Sequence, residues 1–209
     1  MNLDKSLVIT AITIVLSLSG YLFTYLNNLR LAQRQERLKL VDKRINEFYG
    51  PLYVTALAGH TAYAALLKKL RINERQLLEI LKNSELKIGK QVPTNESLGF
   101  PYNYILREWR LWSYNFFIPL NEFQKDLIFN NAHLLLEEEV PHCLIDFLTH
   151  MSAYKIIIKK WDSGDFSENK AFLDYPAGLL NYASKSYLYL KHEQLQLIGH
   201  NRLCRNTKL

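Results

Sequence analysis

From Ser6 to Leu29 the chain carries no charged residue, and its hydrophobic positions run on without a polar period. The centre of this stretch, LVITAITIVLSLSGYLFTYL, spans Leu7–Leu26. As a helix it is about 30 Å long, the thickness of a bilayer's hydrocarbon core. A signal peptide would have a shorter apolar run and small residues at a cleavage site. This run instead ends in Tyr21, Phe23 and Tyr25, and tyrosine rings suit the lipid headgroup layer. A retained transmembrane anchor is the expectation, ahead of a signal peptide or a buried core helix.

The pattern changes at Arg30. Leu31, Leu38, Val41, Ile45 and Phe48 then follow one another at spacings of 7, 3, 4 and 3, a heptad-like stripe without Pro or Gly. This predicts a helical stalk over 30–48. Packing onto the chain's own body is preferred to pairing with a second copy, because so few heptads are short for a coiled coil. At FYGPLY, Phe48–Tyr53, a glycine and a proline predict a kink or short break, with Pro51 in the first turn of a helix over 51–70. Asn73 is placed to cap a helix ending near Asn83. Residues 84–101, with Gly89, Pro93, Gly99 and Pro101, predict a long loop.

Aromatic residues dominate YNYILREWRLWSYNFFIPL, where Trp109, Trp112, Phe116 and Phe117 recur at helical spacings. A packing seam of the helical body is preferred here to a lipid-facing stripe. Asn121 is read as the cap of a helix over 122–136 with Phe123, Leu127, Ile128 and Leu135 as its apolar positions. Pro141 opens a helix over 141–160, WDSGDF forms a turn, and a last helix runs from near Pro176 towards His200. No segment alternates as a strand does. The fold class is therefore all-α: an N-terminal transmembrane helix (1–29), the stalk (30–48) and a cytosolic helical bundle (49–209).

Charge sets the expected orientation. The chain has 209 residues and a formal net charge of +6. Arg30, Arg34, Arg37, Lys39, Lys43 and Arg44 follow the apolar run, against only Lys5 and Asp4 before it. Basic residues favour the cytoplasmic side, so the N-terminus is expected outside the inner membrane and the body inside. Arg202, Arg205 and Lys208 add a second basic group, whose expected partner is an anionic lipid surface rather than nucleic acid. Cys143 and Cys204 do not form a disulfide framework, in keeping with a reducing compartment.

Candidate chemistry is thin. His142, Asp146 and His150 lie four residues apart on one helix, and a metal site would need them to converge with His133 or Glu137. There is no HExxH, no paired cysteine ligand set, no nucleophile elbow and no glycine-rich phosphate loop. The acidic run Glu137–Glu139 falls at a helix junction, Lys155, Lys159 and Lys160 suit a helix C-terminus, and Asp162 and Asp165 suit a turn. No catalytic, cofactor-binding or metal-binding residue is expected, and the protein is not expected to be an enzyme. On the anchor, Thr10, Thr13, Ser17 and Thr24 share one polar face. It is either an active surface or a helix-packing face with its hydroxyls turned to helix carbonyls.

The phrases INEFYGPLY, WRLWSYNFFIPLNE, IFNNAHLL, THMSAYKIIIKKWDSGDF and YLYLKHEQLQL together resemble a family of small bacterial single-anchor proteins with a cytosolic helical domain. Matching positions include Tyr49-Gly50-Pro51, Trp112, Pro119, Asn121, His133, Pro141, His150, Tyr154, Lys155, Trp161 and Gly164-Asp165, across about residues 44–198. The family carries no catalytic role to transfer. The chain also resembles the membrane effector encoded beside a retron reverse transcriptase in bacterial antiviral defence. That resemblance implies a toxin which perturbs the inner membrane when triggered, with a reverse transcriptase and its RNA–DNA product as partners beside the lipid bilayer and further copies of the chain. One departure stands out: such an effector is expected to have more membrane-spanning capacity than one segment. The next apolar stretch, Cys143–Ile158, is interrupted by Asp146, His150 and Lys155. The alternative function is a non-enzymatic tether or scaffold that holds a cytosolic partner at the membrane.

Overall fold

The computed structural model describes residues 5–83 and 101–199. Among these residues every regular element is helical: α1 (Lys5–Arg44), α2 (Gly50–Leu70), α3 (Glu74–Asn83), α4 (Tyr102–Trp112), α5 (Ile118–Asn131), α6 (His142–Asp162) and α7 (Gly178–Ile198). The expected loop over 84–101 lies outside the described residues except for Pro101, which precedes α4. The fold is all-α, with a long apolar N-terminal helix followed by a helical bundle. The chain divides into two compact units, residues 1–43 with 191–209, and residues 44–190.

The first unit contains most of α1 and the end of α7. The apolar part of α1 is exposed along its length among the described residues. It is long and apolar enough to cross a membrane. In the stalk, Val41 is fully buried while Leu31 stays half exposed. The lower stripe is thus occupied by the chain itself.

In the second unit two helices pass through positions where a proline would be expected to stop them. A π-helical turn at Ile45–Tyr49 precedes Pro51, and another at Ser113–Phe117 precedes Pro119. In each, the residue before the proline donates its N–H five residues back: Gly50 to Ile45, and Ile118 to Ser113. A proline lacks an N–H and its ring crowds the preceding turn, so a widened turn ahead of it lets the helix continue. The short break expected at FYGPLY is therefore corrected to a π turn through which the chain stays helical. Asn121 is corrected likewise: it lies inside α5, which starts at Ile118, and it caps nothing. Gly50 fits the first π turn closely, at the carbonyl that accepts its own N–H. A Cβ there would lie 2.6 Å from the Ile45 carbonyl oxygen and 3.8 Å from Tyr187, whereas the equivalent position in the second turn is an isoleucine.

The remaining boundaries reflect local chemistry. Asn73 Oδ1 accepts from the Gln76 N–H and Gln76 Oε1 from the Asn73 N–H, a reciprocal cap that starts α3. Gly164, at φ +81°, ends α6 as the left-handed residue of a C-terminal cap, with the Asp165 N–H returning to the Lys160 carbonyl. Two hydrophobic clusters organise the unit. One gathers Leu66, Leu70, Leu77, Leu81 and Ile105 from α2, α3 and α4; the other gathers Ala153, Tyr154, Ile157 and Trp161 of α6 with Ala171. Trp109 packs against both, so the aromatic stripe is the seam of the bundle. Phe123, one of the apolar positions read for this helix, is half exposed on α5.

Candidate functional site: the anchor face and a polar relay at the start of the bundle

The anchor bears the polar face that the sequence singles out. Thr13 and Thr24 donate their hydroxyls to the carbonyls of Ile9 and Gly20, both at 2.9 Å, and Ser19 does so to Val15 at 2.7 Å. Each bond reaches back one helical turn. These hydroxyls are thus satisfied within the helix, as a hydrocarbon environment demands. Thr10, Thr13, Ser17 and Thr24 are all exposed along α1.

Beyond the anchor, the stalk and the end of α7 are joined by polar contacts. The Arg34 Nε donates to the Leu197 carbonyl at 2.6 Å, Arg37 pairs with Glu193 at 2.6 Å, and Gln194 donates to Asp42 at 2.6 Å. Arg34 therefore places a positive charge on the carbonyl end of α7, where the helix dipole favours it.

The second unit opens with a relay of polar groups that no local pattern announces. Arg44 donates from Nη2 to the Leu135 carbonyl at 3.0 Å. One residue on, the Leu136 N–H donates to the Tyr49 hydroxyl at 2.9 Å. Tyr49 and Tyr182 hydroxyls stand 3.1 Å apart, and Tyr182 donates to Glu137 Oε2 at 3.0 Å. Each phenol has one proton, so the order is fixed: Tyr182 gives its proton to the carboxylate and Tyr49 gives its own to Tyr182. The relay starts and ends on adjacent residues of the α5–α6 connection and grips it from the first π turn and from α7. Burial pushes both phenols above their ordinary values, and for Tyr182 the bond to Tyr49 and the Glu137 charge act in the same direction. Both are neutral hydrogen-bonding groups at any physiological pH. The Nε of Arg44 is buried beside them without a hydrogen bond.

The candidate metal ligands separate. His150 is buried and donates from Nδ1 to the Leu173 carbonyl at 2.8 Å, with its ring against Tyr154 and Tyr175. Burial holds its pKa below the ordinary imidazole value, against the opposing pull of that carbonyl. His142, Asp146 and His133 are exposed or half-buried, and Glu137 belongs to the relay. Among the described residues no group of three His, Cys, Asp or Glu side chains is placed to hold a metal ion.

No protein-family model, curated protein or solved structure matches the chain. Its chemistry is read from its own residues.

Two further constructions went unforeseen. The loop after α6 is pinned by tryptophans: Trp109 donates to the Asn169 carbonyl at 2.9 Å and Trp161 to the Glu168 carbonyl at 2.7 Å. Arg110 adds a bond to the Asn169 side chain and lies 4.5 Å from the Phe166 ring centre. In addition, Gln124 is fully buried in α5 and donates to the Thr55 hydroxyl of α2 at 3.1 Å. The general signal was present, since a buried Tyr or Trp must find a partner for its polar atom. The partners were not legible, because Tyr49 meets residues 87 and 133 positions away.

Proposed function

We propose that the protein is a single-pass, membrane-anchored effector of bacterial antiviral defence of the retron type, acting without enzymatic chemistry. Its helical body stands on the cytoplasmic side and receives the trigger, and its anchor perturbs the inner membrane. The observation that carries this reading is the apolar part of α1, which none of the described residues covers and which is followed by a folded bundle. The basic residues from Arg30 to Arg44 support the orientation. The identity of the effector class rests on the resemblance of the sequence motifs. A reverse transcriptase with its RNA–DNA product is the partner proposed for the body, and further copies of the chain are proposed to bring several anchors together.

Inner-membrane potential during controlled expression in bacteria tests this. The intact chain is expected to depolarise the cells, and a variant with Thr10→Leu, Thr13→Leu, Ser17→Leu and Thr24→Leu is expected to insert yet leave the potential unchanged. A tether is the second reading, and one observation favours it: Thr13 and Thr24 spend their protons on their own helix, as packing residues do. Unchanged potential with the intact chain, together with a partner that survives detergent extraction, would turn the account to the tether.

A further inference from the structure

The strap that joins α6 to α7 is pinned almost residue by residue. Trp161 holds the Glu168 carbonyl, Trp109 holds the Asn169 carbonyl, and His150 donates to the Leu173 carbonyl at 2.8 Å. Asn169 and Ala171 are buried beneath it. Between these fixed points Lys170 is half-buried and Phe172 is 83% exposed. On α6, Ile156 is 56% exposed beside the same strap. Folding in water gains little from large apolar side chains held in the open, so a pair of them facing one cleft points to a ligand.

The cleft has a volume of about 380 Å³, with Ala153, Ile157 and Ala171 as its buried apolar floor. Pockets of roughly 300–1,000 Å³ accept small molecules. Its other lining is charged: Lys82 from the end of α3, with Glu168 and Lys170 from the strap. Lys160 pairs with Glu168, and Lys170 pairs with Asp174. The bond from Lys170 holds the Asp174 carboxyl below its ordinary value, and the Lys82 charge acts in the same direction. Three ammonium groups therefore stand against two carboxylates, which leaves one positive charge over beside an apolar floor.

We propose that this cleft binds a small aromatic monoanion, with its ring against Phe172 and Ile156 and its negative group at Lys82. A flat apolar body suits the two exposed walls, and ring contact with a phenyl group adds to the gain from burial. A single negative group matches the single surplus charge. The strap is held in place without a ligand, so the site is formed before binding and little ordering is needed. The inference concerns the second unit alone and stands apart from the reading of α1 as a membrane anchor.

The test uses the full chain in phosphatidylcholine nanodiscs, with 2-naphthoate as probe and the neutral 2-naphthamide as its control. Cys143→Ser and Cys204→Ser remove the native thiols, and Ile156→Cys places a single thiol on the wall of the cleft. A ligand of about a dozen heavy atoms is expected to bind near millimolar concentration. About 5 mM 2-naphthoate should then slow alkylation of this thiol by N-ethylmaleimide at least about threefold. The same thiol placed by Ile145→Cys, on an exposed part of α6 that does not line the cleft, should react at an unchanged rate. The half-protecting concentration should rise at least about threefold with 2-naphthamide, with Lys82→Gln and with Phe172→Ala. Lys82 and Phe172 are both exposed, so neither change threatens the fold. Absence of slowing in the Ile156→Cys chain, equal slowing in the Ile145→Cys chain, or equal potency of acid and amide overturns the proposal.

Discussion

Two apolar stretches of this chain have opposite fates. The first, Leu7–Leu26 in α1, exposes Leu16 at 67% and Leu18 at 64%, and none of the described residues covers it. The second, Cys143–Ile158 in α6, buries Leu144, Phe147, Met151, Tyr154 and Ile157 while Asp146, Thr149, Ser152 and Lys155 face outwards. The difference lies in how many polar and charged residues each carries and where they fall along the helix. A helix that is apolar all round needs a solvent other than water, whereas one with polar residues every third or fourth position has an outside and an inside. The polar residues that interrupt α6 are what make it a core helix, and they account for a single candidate crossing among the described residues.

This contrast can be pressed hardest at one large side chain in each stretch. Phe147→Ala empties a fully buried site and should cost about 3–5 kcal/mol, read by denaturant unfolding of the chain in mild detergent. Leu16→Ala should leave that unfolding curve in place. Equal losses at the two sites would mean that the anchor is part of the bundle's core.

A charge sharpens the contrast in the other direction. Leu16→Arg should cost about 2.5–3.5 kcal/mol of insertion free energy and move much of the protein out of the membrane fraction. Ile156→Arg, on the exposed side of α6, should change stability by no more than about 0.5 kcal/mol.

The relay predicts a smaller, coupled effect. Tyr49→Phe and Tyr182→Phe should each cost about 1–2 kcal/mol, and the double variant should cost less than their sum, because either change already breaks the Tyr49–Tyr182 bond. Strict additivity in the unfolding measurements would show that the two hydroxyls act apart.

The smallest effect is one of pH. His150 is held below its ordinary value when folded, so the unfolded chain takes up a proton that the folded chain refuses. Its contribution to stability is therefore complete above the ordinary imidazole value near 6.5, falls as pH drops through it, and levels off below the lowered folded value. Melting temperature followed from about pH 7.5 to 5 should fall less in His150→Gln than in the parent chain.

Much of the architecture was legible because it rests on local chemistry. The uncharged run, the Asn73 cap, Pro141 ahead of its helix and the end of α6 at WDSGDF each depend on a few neighbouring residues. The two π turns were not, since a proline after an aromatic pair reads as a break until the widened turn before it is seen. Asn121 was misread for the same reason: it looks like a cap only if Pro119 ends a helix. The relay of Arg44, Tyr49, Tyr182 and Glu137 was beyond reach, because its members come from three separate parts of the chain. His150 taught the converse lesson. Its spacing from His142 and Asp146 suggests ligands, yet burial turns it to a backbone carbonyl.

The central claim is that α1 crosses a membrane with the body on the cytoplasmic side. Its most direct test is thiol labelling in bacterial spheroplasts by a membrane-impermeant maleimide, comparing a Leu3→Cys chain without its native cysteines against one whose only thiol is Cys204. The account predicts that position 3 is labelled in intact spheroplasts and Cys204 only after permeabilisation. Labelling of Cys204 in intact spheroplasts, or recovery of the protein in the soluble fraction, would contradict it.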